Sequence, residues 1–336
     1  MRAVVQSAYG DPAEVLEVGE VDRPSVGDDE VLVRVRAASV HPDVWHVVTG
    51  LPRVLRVMGS GVLAPNEQVP GTDMAGEVEA VGAAVTRFQP GDAVFGETIR
   101  GMQWRNGGAF AEYVATTEDA LAPKPPDVSF EQAATVPTAG IIALHNLPDL
   151  DALPDGHRVL VNGAGGGVGA IALQLAKAAG AHVTAVDHSD KLDLLRQLGA
   201  DRVVDYTTDD VTRIDATFDL VFDVAGNHRY PAYRHVLEPD GGYVLIGHDH
   251  FGRVGRRWLG SIPTMVGLMA RSVSDRRLSL KFDNPDRPAA MQRLHAGLAS
   301  GALTPVVAEA FPLEAAAEAL KMLASGRAVG RIVVVP

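Results

Sequence analysis

Residues 159–187 read VLVNGAGGGVGAIALQLAKAAGAHVTAVD. An apolar run enters a glycine-dense turn, then a helical stretch, then a second apolar run that ends in a carboxylate. That order is the βαβ unit that wraps a dinucleotide diphosphate. Glycines let the backbone approach the phosphates, and a helix N-terminus offers free N–H groups and a positive dipole end. The fingerprint falls on Ala164, Gly166 and Gly169, with alanine at the first glycine position and Gly167 and Val168 completing the turn. From Val168, apolar residues recur at Ile171, Ala172, Leu175, Ala176 and Ala179, the stripe of a helix packed on a sheet. Gly180 is a helix stop, and Asp187 stands where a ribose contact is expected. A nicotinamide dinucleotide is the expected ligand; a tight turn in an α/β core without a ligand is the alternative.

Composition narrows the classes. The chain has 336 residues, long enough for two domains. Its formal net charge of -12 argues against nucleic acid or a membrane surface as a partner. No cysteine is present, which excludes disulfides, thiolate metal ligands and a cysteine nucleophile. No run long and apolar enough to span a bilayer occurs, and the first residues lack the apolar core of a signal peptide. A cytoplasmic enzyme is the expectation.

The organisation changes along the chain. Up to residue 123 short alternating runs, such as Val31–Arg36 and Gly76–Val81, are separated by turn signals, and predict an irregular β-barrel. Pro123–Pro126 reads as a linker, followed by helices over Phe130–Ala134 and Thr138–Leu147. From residue 157 strands and helices alternate: helix near Asp190–Leu198, strand Arg202–Asp205, strand Leu220–Asp223, helix near Tyr230–Leu237, strand Tyr243–Ile246. This predicts a doubly wound parallel sheet. Residues 251–287 are arginine-rich and read as irregular, a flap or a dimer contact. The tail predicts a helix near Ala289–Leu298, a strand near Pro305–Phe311, a helix over Leu313–Leu323 and a last strand, Arg331–Val335, returning to the first domain.

Several segments in order (AASVHPDVW at 37–45, VPGTDMAGEVEAVGAAVTRFQPGDAVFG at 69–96, GGAFAEYVA at 107–115, AATVPTAGIIAL at 133–144, NGAGGGVG at 162–169, LGADRVVDY at 198–206 and GRAVGRIVVV at 326–335) resemble the medium-chain dehydrogenase/reductase superfamily, in its zinc-free quinone oxidoreductase branch. The resemblance implies an α/β protein: a GroES-like β-barrel catalytic domain over 1–123, a Rossmann domain over 124–284, and a return segment over 285–336. It places the active site between the two domains, and implies a homodimer joined through the Rossmann domains.

Departures from that family matter as much. Zinc alcohol dehydrogenases carry a cysteine, a histidine–glutamate pair and a second cysteine around the catalytic metal. Here the first position holds His41 and the pair is replaced by Thr72-Asp73, so no zinc is expected. A metal set of His41, Asp73 and His46 is the weaker alternative. The quinone reductases place an asparagine and a tyrosine in the segment matching 40–50. At those positions His41 and His46 are candidate donors to a developing oxyanion or enolate, and His46 matches the proton-relay histidine of the zinc enzymes. Either ring could instead be a satisfied polar group. Trp45 is a candidate for lining the substrate pocket or for the core.

Thr138 matches the segment that runs under the nicotinamide in the family, with plain N-capping as its alternative. Ala225-Gly226 and Ile246-Gly247 end the fourth and fifth strands, where adenosine and nicotinamide should border. Asp187 favours NAD, whereas Lys191, Tyr206 and Arg327 fall at the three positions that grip the 2′-phosphate in NADPH-using quinone reductases. The reading leans to NADP(H) and keeps NAD(H) open. The function expected is metal-free, NAD(P)H-dependent reduction of a quinone or an α,β-unsaturated carbonyl. An alcohol dehydrogenase of the same superfamily, or a non-catalytic nucleotide-binding relative, are the alternatives.

Overall fold

The computed structural model describes residues 1–101, 106–247, 258–281 and 283–336. Two sheets dominate it. The first is built on β3 (Glu30–Val40), whose VLVRVR alternation buries Val31, Val33 and Val35 and leaves Arg34 outside. An N-terminal hairpin, β1 (Arg2–Gln6) with β2 (Leu16–Glu20), lies beside it. Strand β3 pairs antiparallel with β4 (Asp73–Val81), which pairs with β5 (Ala93–Glu97). Strand β6 (Tyr113–Thr117) takes the first half of β3's other edge, and β7 (Leu121–Pro123) closes on β5. The short helix α2 (Pro42–Thr49) leaves the end of β3 directly, so β3 aims the residues that follow it.

The second sheet is parallel. Its five strands are β8 (Arg158–Asn162), β9 (His182–Asp187), β10 (Arg202–Asp205), β11 (Phe218–Asp223) and β12 (Leu237–Leu245), in the order β10-β9-β8-β11-β12. Order reverses beside β8, and such switch points hold ligands at strand carboxyl ends. Both faces are covered, which is why these strands read as unbroken apolar runs. Val159 and Val161 pack with Ala172, Leu173 and Ala176 of helix α5 (Gly167–Ala178), while Leu160 packs the other way with Val186, Val221 and Tyr243.

Helix α4 (Pro137–Asn146) joins the two sheets. It packs on α5 and on α9 (Arg287–Ala299), and at Gly140 a side chain would collide with Leu294. The chain then runs through β13 (Val307–Pro312) and α10 (Ala316–Ser325) to β14 (Arg331–Val335). There Val333 pairs with Ser39 and Val334 with Ala38 on the second half of β3's edge.

Two expectations need correction. The helix expected over Tyr230–Leu237 is only α7 (Tyr230–Tyr233), because Leu237 already pairs with Phe218 as the start of β12. Residues 262–272, read as irregular, form α8 (Ile262–Ser272), with Met265 half-buried and Leu268 buried one turn apart on its inner side. Residues 102–105, 248–257 and 282 lie outside the described residues, and with them part of the 251–287 segment left open above.

Candidate active site

The glycine turn sits at the carboxyl end of β8. Gly163 takes a positive φ of 82°, and the Gly163 and Ala164 N–H groups donate to Val186 O on β9. Gly166 caps α5, so Gly167, Val168 and Gly169 form its first turn, where backbone N–H groups have no intrahelical acceptor. A side chain at Gly169 would strike Gly163 O, which makes glycine obligatory there. Neighbouring strand ends complete the rim. Ala225 N–H donates to Asn162 O, Gly226 N–H donates to Asp223 Oδ1, and Ile246 N–H donates to Asp223 O. Gly247 lies so close to Val224 O that a Cβ has no room.

Asp187 is buried at the end of β9 and already engaged. Its Oδ2 accepts from Gly165 N–H at 2.7 Å, its Oδ1 from His188 N–H at 2.8 Å, and Lys191 Nζ stands 3.5 Å from Oδ1. Tyr206, half-exposed, meets the His188 ring edge-on, and its N–H donates to Asp187 O. Asp187, Lys191 and Tyr206 therefore share one corner. Arg327 is exposed just beyond the left-handed cap Gly326 of α10, with its N–H on Ser325 Oγ.

A different arginine meets the turn. Arg331 opens β14, donates from Nη2 to Ser39 Oγ at 2.7 Å, and presses its guanidinium against Gly167, where any Cβ would collide with it. Its Nε is buried with no hydrogen-bond partner. Burial pushes its pKa below the usual arginine range, with Asp73 and Asp43 pulling the other way. A half-buried cation with a buried, unmet Nε donor, held against a helix N-terminus, suits a diphosphate. Sequence reasoning missed it; its only signal is an arginine opening an otherwise apolar last strand.

His41 lies two residues past Ser39. It is the N-cap residue of α2 but makes no cap bond with its side chain. The buried ring turns instead to β4, with Nε2 2.9 Å from Thr72 Oγ1 and 4.0 Å from Asp73 Oδ1. Its Nδ1 makes no hydrogen bond and stands 3.5 Å from Asp43 Oδ2. His46 is also buried, and its Nδ1 donates to Leu51 O at 2.6 Å, fixing the turn after α2. Trp45 meets the His46 ring edge-on at 5.3 Å and packs partly on the barrel core.

Thr138 binds across the domains. Its hydroxyl donates to Asp73 Oδ1 at 2.5 Å and its N–H to Asp73 Oδ2 at 3.2 Å, so a barrel carboxylate caps the start of α4. The same hydroxyl is 3.3 Å from Glu97 Oε2, and Glu97 is salt-bridged to Arg287. Asp73 and Glu97 are thus structural anchors of the interdomain seam, a role the sequence reading did not assign. Among the described residues no group of three His, Cys, Asp or Glu side chains is placed to hold a metal ion.

Comparison with known proteins agrees with this architecture. Residues 27–126 match the alcohol dehydrogenase GroES-like domain family and residues 198–334 match the zinc-binding dehydrogenase family. A chloroplastic quinone-oxidoreductase homolog of Spinacia oleracea is 37% identical over 215 residues, 62% of either chain. A chloroplastic quinone-oxidoreductase of Triphysaria versicolor is 31% identical over 343 residues, covering 100% of this chain and 98% of the relative. A chloroplastic NADPH-dependent alkenal/one oxidoreductase of Arabidopsis thaliana is 30% identical over 100% of this chain and 79% of its own length. Among solved structures, an NAD-dependent alcohol dehydrogenase superposes with TM-score 0.82 at 33% identity, covering 100% of both chains. The quinone oxidoreductase of Coxiella burnetii gives 0.81 at 25%, covering 100% and 99%. Barrel, parallel sheet and full-length relatives together make this chain a quinone oxidoreductase-like member of the medium-chain dehydrogenase/reductase superfamily.

Proposed function

We propose that this oxidoreductase uses NAD(P)H to reduce a quinone or an α,β-unsaturated carbonyl, and does so without a metal ion. One observation carries the reading. Arg331 spans from Ser39 to Gly167, so the glycine turn and the strand end bearing His41 lie within one side chain of each other. Relatives named for quinone and for alkenal/one reduction support the acceptor class.

The nicotinamide dinucleotide, when bound, supplies the hydride. Residues 166–169 and Arg331 would hold its diphosphate; Ala225, Gly226, Ile246 and Gly247 border its remainder. His41 would serve the acceptor. With the Thr72 hydroxyl donating to Nε2, the ring proton resides on Nδ1, a tautomer that Asp43 favours. That N–H can donate a hydrogen bond to an oxyanion as charge develops on the acceptor oxygen, and water then supplies the proton. His46, tied to Leu51 O, would hold the loop in shape, and Trp45 would wall the pocket. Metal independence is supported by the donor set: a Thr hydroxyl is a poor zinc ligand, and Asp73 is committed to Thr138.

We favour NADPH over NADH. Lys191 and two backbone N–H groups already offset the Asp187 charge, which lowers its repulsion of a 2′-phosphate. We also propose a homodimer, on the strength of the family resemblance; the outer edge of β12 is itself partly covered, since Tyr243 N–H donates to Arg277 O and Ser279 N–H to Tyr243 O. The test is direct: purified protein is mixed with each nucleotide and a panel of quinones and enones. No consumption above background with any acceptor removes the proposal. Alcohol oxidation is the second reading, favoured by the similarity to an NAD-dependent alcohol dehydrogenase. Stoichiometric zinc that survives dialysis would select it.

A further inference from the structure

Helix α8 is turned the wrong way for a surface helix. Its inner side presents Met265, Leu268 and Ser272, of which only Leu268 is buried. Its outer side carries Val266, Met269 and Val273 at 57%, 45% and 89% exposure. Gly267, between them, faces open space. Trp258 and Leu259, just before α8, are also exposed. They lie against the barrel loop that follows α2: Val54 N–H donates to Trp258 O, and Arg53 lies over the Trp258 ring at 4.6 Å. That loop continues into Val57, Val62 and Leu63, all exposed. Exposed apolar residues gathered on adjoining segments mark a contact with something apolar.

Charge says what kind of contact. The whole chain carries -12, yet residues 251–277 hold Arg253, Arg256, Arg257, Arg271, Arg276 and Arg277 against Asp275 alone. Three described arginines gather at the end of α8. Arg234, Arg271 and Arg277 line an open notch of about 560 Å³, together with Tyr230, Ser274 and Asp275. Asp275 pairs with Arg277, and Arg234 and Arg271 are exposed. A second copy of this chain fits poorly, because a two-fold contact through this face would set the arginines against one another. An exposed apolar helix face with arginines gathered at its end has the make-up of a segment that lies in the interface of an anionic bilayer.

We infer that α8 and its arginine rim form a peripheral docking surface for anionic lipid membranes. The net charge of -12, which argues against a membrane surface for the molecule as a whole, does not decide this face, since attraction is set by the charges presented within a Debye length. The apolar residues enter the headgroup boundary and the arginines meet lipid phosphates. Lipophilic quinones dissolve in such membranes, so docking would bring the acceptor site to its substrate; that consequence alone rests on the reductase reading.

The experiment is vesicle co-sedimentation of the full chain. Vesicles of phosphatidylcholine alone are compared with vesicles of phosphatidylcholine and phosphatidylglycerol, at low and high salt. Expected is partition onto the anionic vesicles that weakens as salt rises. The pairs Val266→Glu/Met269→Glu and Arg271→Glu/Arg276→Glu each lower it by about tenfold or more. Both pairs are exposed, so turnover of a water-soluble acceptor and thermal melting should match the parent. Equal partition onto neutral vesicles, no partition at low salt, or variants that bind like the parent would each overturn the inference. So would self-association abolished by Val266→Glu/Met269→Glu, which would give the face to a second copy. Vesicle binding by a protein that turns over no acceptor would leave the inference standing and remove only the reductase reading.

Discussion

His41 and Arg331 sit at opposite ends of one short path, and each gives a separable prediction. His41→Ala removes the proposed donor to the acceptor oxygen. It should lower kcat by about 10²–10³-fold while nucleotide affinity is unchanged, since the loss belongs to the transition state. Turnover within a factor of a few of the parent would show that the ring is only a bond to Thr72. Arg331→Met keeps the stem and deletes the charge. Charge-assisted bonds to a phosphate are worth about 1.5–3 kcal/mol, so nucleotide Kd should rise roughly 10–100-fold by calorimetry, with the fold intact. Gly169→Ala acts on stability, because its methyl meets Gly163 O. A loss of about 1–3 kcal/mol in urea unfolding is expected, together with weaker nucleotide binding. The sequence announced Gly166, Gly167 and Gly169 because a glycine turn is a local signal. It gave little notice of Arg331, whose place depends on β14 returning to pair with β3 from the far end of the chain.

At the level of elements, the end of β11 carries a pH dependence of its own. Asp223 is fully buried and accepts from Asn162 Nδ2, Gly226 N–H and Tyr243 Oη. Desolvation outweighs those bonds and raises its pKa above the ordinary carboxylate range. The folded chain therefore holds this proton when the unfolded chain has released it. Stability from this group is greatest below the unfolded pKa of about 4 and is lost as pH rises through the folded one. Asp223→Asn mimics the protonated form. Its stability relative to the parent, from urea unfolding, should improve as pH is raised across that window; parallel profiles would refute the assignment. Elements were legible where burial follows a period. Strand β14 and helix α3 (Phe130–Ala134) were read to the residue, because each is a short block bounded by a turn or cap. Helix α8 was not, because its most exposed apolar residues face solvent and draw no core stripe. The expected helix after Tyr230 failed because pairing of Leu237 with Phe218 overrode local propensity.

For the whole molecule, the two-domain plan was legible because the periodicity changes near residue 157, from short alternating strands to strand–helix repeats. Contacts across the seam were not, since Asp73 with Thr138 and Glu97 with Arg287 join residues far apart in sequence. The quaternary prediction belongs at this scale. Light scattering should give twice the 35.4 kDa of one chain, and a monomer at micromolar concentration would contradict the proposed homodimer.

The bond from Arg331 to Ser39 has a kinetic corollary. A nucleotide that draws the guanidinium toward its phosphates also loads the strand end from which His41 projects, so the first guest readies the seat of the second. Initial-rate and product-inhibition studies are expected to show compulsory order, nucleotide leading and acceptor following. The reaction would then be timed by a lone arginine common to both sites.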